Sequence, residues 1–367
     1  MFVRYYLCGA MKEIESTRGR KLVAAWIITG VVMLLIQVVL GGVTRLTGSG
    51  LSITEWNVVT GTLPPLSEAA WLKEFAKYQD TPQYRLLNTG FTLEDFKFIF
   101  FWEWFHRFWA RMIGVVFLIG FVYLVSKKYL KKEMFQPLIL LFFMGALQGA
   151  IGWIMVASGL VGDAIYVKPT RLALHFIFAL ILIAYAWWFA LQLTIKKEEI
   201  IIDRKNRNIT WGILILLGVQ LIFGALMAGH KAATAAPTWP DINGSMLPEY
   251  VFNTKPFFRD LVENKITIHF IHRTLAYILL IWISWFSFDQ MKNGKSTGLK
   301  KAAKYPMIFV WLQVVLGIFS VLLSTNIVPN HWGSFEWMAQ LHQVVGMLLM
   351  LSMVSMLYFL RVNPVTR

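Results

Sequence analysis

Eight stretches of the chain, about 22–42, 105–126, 136–157, 170–194, 209–229, 268–288, 305–325 and 338–360, are almost wholly apolar, and polar segments separate them. Roughly 20 apolar residues are what an α-helix needs to cross about 30 Å of hydrocarbon. The pattern therefore predicts eight transmembrane helices and an all-α polytopic membrane protein. The first run has full span length and no small-residue cleavage site, so it reads as helix 1 and not as a removed leader.

The polar segments alternate in character. Segments 1–21, 127–135, 195–208 and 289–304 hold five, four, five and five Lys or Arg, while the intervening loops are long, polar or nearly uncharged. Positive residues are retained on the cytoplasmic side. Both termini are accordingly expected in the cytoplasm, with the chain a multi-pass protein of the bacterial cytoplasmic (inner) membrane.

Composition agrees: 57% apolar residues, 16 Trp, 28 Phe and a mean hydropathy of +0.57 exceed what a soluble domain of this size carries. The net charge of +15 resides mostly in the inner loops, where it faces anionic membrane lipid, so nucleic-acid binding is not expected. The single cysteine, Cys8, falls in the inner tail and excludes an intrachain disulfide or a Cys-based metal site. Any metal must be held by His or carboxylate.

The chain also repeats itself. "IQVVLGG" at 36–42 matches "VQLIFGA" at 219–225, "FHRFWARMIG" at 105–114 matches "IHRTLAYILL" at 271–280, "LQGAIG" at 147–152 matches "LQVVLG" at 312–317, and "LALHFI" at 172–177 matches "AQLHQV" at 339–344. The first offset is 183 and the others 166, 165 and 167, because the outer segment 43–104 is longer than its counterpart 230–267. Four helices per half in the same order make parallel repeats. The expected architecture is two pseudo-symmetric four-helix bundles, residues 1–200 and 201–367, with 43–104 as an outer lid over the first.

Histidines follow the repeat. His106 and His175 belong to the first half, and His272 and His342 stand at the matching places of the second. All four lie near the outer ends of even-numbered spans. A single histidine at a membrane edge is ordinarily a hydrogen-bonded side chain; two per bundle at equivalent positions, without an H-E-x-x-H motif, point to pairs that clamp a haem iron axially inside each bundle. His230 and His331 have no repeat partners and read as structural or surface residues. His269, three residues before His272, shares its helix face.

The chain resembles the haem A synthases whose first outer loop lacks a cysteine pair. The stretches that carry the resemblance are "GGVTRLTGSGLSITEW", "TGTLPPLSEAAWLKEFAKYQDTPQYRLLN", "FTLEDFKFIFFWEWFHRFWARMIG", "GALQGAIGWIMVASGL", "LALHF", "GALMAG", "FIHR" and "LHQ". The resemblance implies oxidation of the C8 methyl of haem O to a formyl group, giving haem A for cytochrome oxidase. It implies that His106 and His175 receive the substrate haem O, that His272 and His342 keep a haem b cofactor, and that Glu103 is catalytic. Association with haem O synthase and cytochrome oxidase assembly factors, and self-association, are further expectations at that level.

Glu103 has its own physical case. A carboxylate near hydrocarbon costs roughly 2.5–3.5 kcal/mol at the bilayer centre and less at the edge, so it is retained for a reason. The second half carries His269 at the equivalent position, so the carboxylate occurs in one half only. The bland alternative is a water-exposed residue near a helix N-terminus. Arg45, Arg107, Arg111 and Arg273 lie near the same surface and are candidates for haem propionates, or else are interfacial anchors. "LTGSGLS" lacks the P-loop lysine and reads as a turn, and the glycines of "GALQGAIG" read as close-packing positions. His269, where relatives often have Gln, and "AGHKAATAAPTWP" depart from the family pattern. Other readings of the same histidines are a dihaem b electron carrier, which needs no Glu103, and a transporter, which the absence of Gly/Pro breaks in the spans disfavours.

Overall fold

The computed structural model describes residues 18–55, 62–328 and 331–360. Cys8, most of the inner tail 1–21 and residues 56–61 of the outer segment lie outside the described residues. Helices dominate: α1 (Arg18–Leu46), α2 (Glu68–Gln79), α3 (Pro82–Leu87), α4 (Leu93–Ser126), α5 (Lys132–Ala157), α6 (Pro169–Thr194), α7 (Arg204–Gly229), α8 (Phe257–Glu263), α9 (Lys265–Asn293), α10 (Thr297–Ala302), α11 (Lys304–Leu322) and α12 (Ser334–Phe359). Among the described residues eight are long and apolar enough to cross a membrane, namely α1, α4, α5, α6, α7, α9, α11 with its flanking turns, and α12. Each matches a predicted span.

One boundary differs by a dozen residues. The second span was expected from 105, yet α4 begins at Leu93. The cause is a capping box: the Thr92 hydroxyl accepts from the Asp95 amide at 3.3 Å, and the Asp95 carboxylate accepts from the Thr92 amide at 2.9 Å. Residues 93–104 thus belong to the helix and stand above the span that their sequence continues into. Local caps start other elements in the same way, with Ser67 on α2, Thr81 followed by Pro82 on α3, Asp203 on α7 and Asn264 on α9.

The two halves pack alike. In the first, α1 lies along both α4 and α6, and α5 along α6; in the second, α7 lies along α9 and α12, and α11 along α12. The halves meet with the same symmetry: α6 packs on α7, α12 on α1, and α6 on α12. Hydrogen bonds from Gln340 to the Val39 carbonyl (3.2 Å) and from Gln343 to the Val38 carbonyl (2.9 Å) tie α12 to α1. One contact breaks the symmetry. α9 packs along α11, whereas α4 does not lie along α5, and these two meet where Phe121 touches Phe135.

Large apolar side chains on the outside of the bundles, such as Leu118, Ile119, Phe142, Phe143 and Ile281, are exposed. In a chain whose backbone polar groups are satisfied within each helix, that surface is the one that meets lipid.

In the outer segment α2 and α3 fold onto the extension of α4. Phe75 and Tyr78 stack on Phe96 at 5.1 and 5.3 Å, and Trp71 meets Phe100 edge-on at 5.0 Å. Tyr78 is fully buried, donates to Gln83 and accepts from Asn88. Gln83 in turn donates to the Ile165 carbonyl in the α5–α6 loop, so the segment spans from one hairpin to the next. Burial of each such side chain contributes about 1.5–3 kcal/mol.

Candidate haem sites

Each of the four repeated histidines lies in a notch made by a glycine on the preceding span. A Cβ built on Gly41 of α1 would stand 3.2 Å from His106 Nε2; on Gly152 of α5, 2.9 Å from His175 Cε1; on Gly224 of α7, 3.1 Å from His272 Cε1; and on Gly317 of α11, 3.0 Å from His342 Cε1. Real Cβ atoms rarely come this close, so glycine lets the imidazole rest against the helix backbone, and a side chain in its place would push the ring aside by a few tenths of an ångström or more. These glycines lie within the stretches matched between the two halves. Their four-fold recurrence ahead of each histidine is the signal that identifies them as seats. The close-packing reading of "GALQGAIG" needs correction, because Gly145 and Gly149 face open space and Gly152 alone is in close contact, with an imidazole and not with a helix.

In the second half the His272 and His342 rings stand 6.3 Å apart, centroid to centroid, with planes inclined at 73°. Two imidazoles on opposite sides of one metal atom, each about 2 Å from it through nitrogen, have centroids about 6 Å apart. In the first half His106 and His175 lie within electrostatic reach of each other. Among the described residues no group of three or more His, Cys, Asp or Glu converges. Ligands in opposed pairs suit a metal whose remaining positions are filled by a macrocycle, so the residues present fit a haem iron.

Glu103 does not stand in water. It is 3% exposed, inside α4, with Oε1 2.6 Å from Arg107 Nη2 and Oε2 accepting from the Ser52 hydroxyl at 2.7 Å and the Ile53 amide at 2.8 Å. A buried carboxylate with these partners is satisfied on both oxygens. Arg107 also reaches the carbonyls of Ile53 and Glu55. The turn after α1 is thereby fastened to the helix that carries His106.

The second half reproduces this latch with different chemistry. Arg273 donates from Nε to His269 Nε2 at 3.1 Å, and its Nη atoms reach the carbonyls of Asp241 (2.6 Å), Thr238 (2.6 Å) and Ala236 (3.3 Å). His269 is fully buried. Both paired arginines thus hold outer-loop backbone. Arg45 reaches the Ala228 carbonyl at 3.4 Å and is attracted by Glu336 at the start of α12; Arg111 lies one turn beyond Arg107.

Of the other histidines, His230 hydrogen-bonds the Val262 carbonyl at 2.7 Å, closing the end of α7 onto α8, and His331 is exposed. Neither joins a pair. A cavity of about 260 Å³ opens beside the first latch, lined by Ile53, Glu55, Arg107, Trp153, Val156 and Leu160 among others. It lies between the outer segment and the outer end of α5.

On the outer side of the second latch, Asp260 anchors the loop before α9. It accepts from the Thr254 amide (2.7 Å), the Thr267 hydroxyl (2.5 Å) and the Asn264 amide (2.9 Å). Burial opposes its ionisation, but the hydrogen bonds from Thr267, Asn264 and Thr254 outweigh that and hold the carboxyl down to about 2.

Comparison with known proteins places these features in a family. Residues 24–354 match the COX15-CtaA model, described as cytochrome oxidase assembly protein. A heme A synthase of Flavobacterium psychrophilum is 40% identical over 339 residues, 91% of this chain and 96% of that protein. Those of a Bradyrhizobium species and of a Wolbachia pipientis strain are 40% and 41% identical over 319 and 307 residues, covering 86% and 83% of this chain and 88% and 89% of theirs.

Proposed function

The chain belongs to the COX15-CtaA family and acts as a haem A synthase, a membrane oxidoreductase that makes haem A from haem O; on that premise we propose how the work is divided between its halves. The first bundle takes haem O between His106 and His175 and is where the C8 methyl becomes a formyl group. The second keeps a haem b between His272 and His342. Bound haem b supplies the one-electron chemistry that the side chains lack.

The observation that carries this division is the pair of latches. Positions 103 and 269 are equivalent, yet only the first holds a carboxylate. Turning a methyl into a formyl group replaces two of its hydrogens by an oxygen, a four-electron oxidation that releases protons, and Glu103, one turn from His106, is the carboxylate placed to take one up. Arg107 fixes the carboxylate's orientation, and Ser52 and Ile53 close over it and exclude water. The packing supports the same division: the seam between α4 and α5 is not closed along its length, which suits a substrate that arrives from the membrane with an apolar farnesyl chain, whereas α9 and α11 close the matching seam. Arg45, Arg107, Arg111 and Arg273 are the cationic groups near the outer surface that meet the haem propionates.

Both termini lie in the cytoplasm of a bacterial inner-membrane protein on this reading, as the Lys and Arg of the inner loops direct. Haem O synthase is the expected neighbour, handing over the substrate within the bilayer. Substitution of one ligand in each bundle tests the assignment. Protein with His272→Ala is expected to lose haem B and retain haem O, and His106→Ala the reverse; loss of the same pigment in both would overturn the division.

A further inference from the structure

The seam between α4 and α5 is a groove with a mouth, two walls and a floor. Its mouth is the cavity of about 260 Å³ that Arg107 of α4 lines together with Trp153, Val156 and Leu160 of α5. Gly114 stands seven residues inward of Arg107 and Gly149 four inward of Trp153, so both lie on the helix faces that line the mouth. Gly145 follows one turn further in. A Cβ on any of these three glycines would meet no atom of the described residues within 4 Å. The floor is the edge-on contact of Phe121 with Phe135. From Arg107 to Phe121 the groove runs about 21 Å, at about 1.5 Å of helix rise per residue.

The matching seam of the second half is filled. At the repeat offsets of 166 and 165, Gly114, Gly145 and Gly149 correspond to Leu280, Val310 and Val314. Val310 is buried in the core with Leu279 and Ile283 of α9, and Leu280 packs against that core. Of the apolar windows of α4 and α5, 6% is buried within the protein, against 28% in α9 and 22% in α11 with its flanking turns. Side chains missing at three equivalent places thus leave one seam open and the other closed. The open groove is continuous with the first haem site, because Gly152, the seat of His175, lies three residues outward of Gly149 on the same face of α5.

We propose that this groove holds the farnesyl chain of haem O, and that glycine at 114, 145 and 149 admits a tailed haem to the first bundle while Leu280, Val310 and Val314 restrict the second to a haem without a tail. The proposal rests on the division between the bundles stated above. Haem O and haem b offer the same iron and the same propionates to a pair of histidines, so ligation does not tell them apart. The chain does, and because it is apolar the groove selects it by shape. On the porphyrin it leaves the edge opposite the propionates. With the chain directed inward, the propionates turn outward to the mouth, where Arg107 stands. C8, on a pyrrole that also bears a propionate, then lies in the outer half of the ring, the side to which Glu103 is displaced from His106 along α4.

Haem binding tests this without turnover. Full-length protein with His272→Ala, produced in haem-depleted cells, leaves the first site alone to be titrated with haem B or haem O and read by its Soret band. A methyl at 145 or 149 leaves the groove open, whereas valine at both brings in the bulk that fills the second seam. Gly145→Val combined with Gly149→Val is expected to leave haem B affinity unchanged and to weaken haem O by about tenfold or more, the scale of overpacking an apolar site. Gly218→Val, which lies with the exposed Ile215 and Ile222 on the lipid face of α7, is expected to leave both affinities in place. Should the double variant bind neither pigment, Gly114→Leu on the opposite wall decides, with the same selective loss expected. Unchanged haem O affinity, which would leave the groove to lipid acyl chains, or equal loss of both pigments in every groove variant overturns the proposal. Haem O that binds with His106→Ala but not with His272→Ala would instead overturn the division between the bundles.

Discussion

Arg107 lies one helical turn from Glu103 and holds its carboxylate at 2.6 Å, while Arg273, at the equivalent place in the second half, holds the imidazole of His269 at 3.1 Å. One scaffold position thus carries an acid above one candidate haem site and an imidazole above the other. Both arginines clamp outer loops, so the two latches differ in the residue they orient.

Removing the clamp separates its two roles. Truncating one partner of a buried ion pair costs about 3–5 kcal/mol, since the other charge is left uncompensated. Arg107→Ala is therefore expected to lower thermal stability, open the turn at Ser49–Ile53 to protease and strongly reduce haem A formation. Arg273→Ala is expected to expose the 236–241 loop to protease in the same way. Limited proteolysis followed by mass spectrometry of the fragments checks both; protection of the turn in Arg107→Ala would contradict the clamp.

The glycine seats give a sharper contrast. Gly152→Ala and Gly317→Ala force a methyl within about 3 Å of a ligand imidazole, an overpacking that costs about 1–3 kcal/mol and displaces the ring. Each variant should lose haem from its own bundle. Gly145→Ala and Gly149→Ala, whose new methyl groups meet nothing within 4 Å, should keep full haem content and gain up to about 1 kcal/mol of helix stability. Absorbance of the Soret band per protein, with a thermal melt, reads both effects.

The outer segment depends on Tyr78. Tyr78→Ala empties the centre of the cluster formed with Phe75 and Phe96 and should cost about 3–5 kcal/mol, as removal of a large buried aromatic does. Release of α2 and α3 would show as rapid hydrogen exchange over 68–87 with the bundle amides still protected. Uniform exchange across the whole chain would mean that the segment is not a separate cover.

Asp260 makes the second outer loop acid-sensitive. Its folded value of about 2 lies below the usual carboxylate value near 3.9, so its stabilisation is complete above about pH 4 and fades as pH falls through 2. Hydrogen exchange around Thr254 and Thr267 should accelerate over that window. In Asp260→Asn the loop should be looser at neutral pH, by about 1–3 kcal/mol for the acceptor lost, and its exchange should no longer change between pH 4 and 2.

Most of the fold could be read from the chain because lipid imposes one strong rule, a long apolar run per crossing, and the eight runs obey it. The start of α4 escaped because its first three turns are amphipathic and depend on Thr92 and Asp95, not on apolar length. His106, His175, His272 and His342 stood out through the repeat. Their seats, Gly41 and Gly224 among them, are marked only by recurring ahead of each histidine, since a single glycine on an apolar helix carries no mark of what it faces. Nor does sequence show that Glu103 and Arg107 pair, because spacing on a helix permits the contact without revealing that Ser52 and Ile53 complete it. Those partners come from a turn fifty residues away, brought there by the packing of α1 on α4.

The most direct test of the central claim is a pigment analysis of the Glu103→Gln variant, expressed with a haem O synthase, purified and extracted in acid solvent for chromatography. The expected result is haem B and haem O in place with haem A reduced by a factor of about 10² or more, the scale of a lost acid–base group. Haem A at the level of the unsubstituted protein would contradict the role assigned to Glu103 and, with it, the division of labour between the two halves.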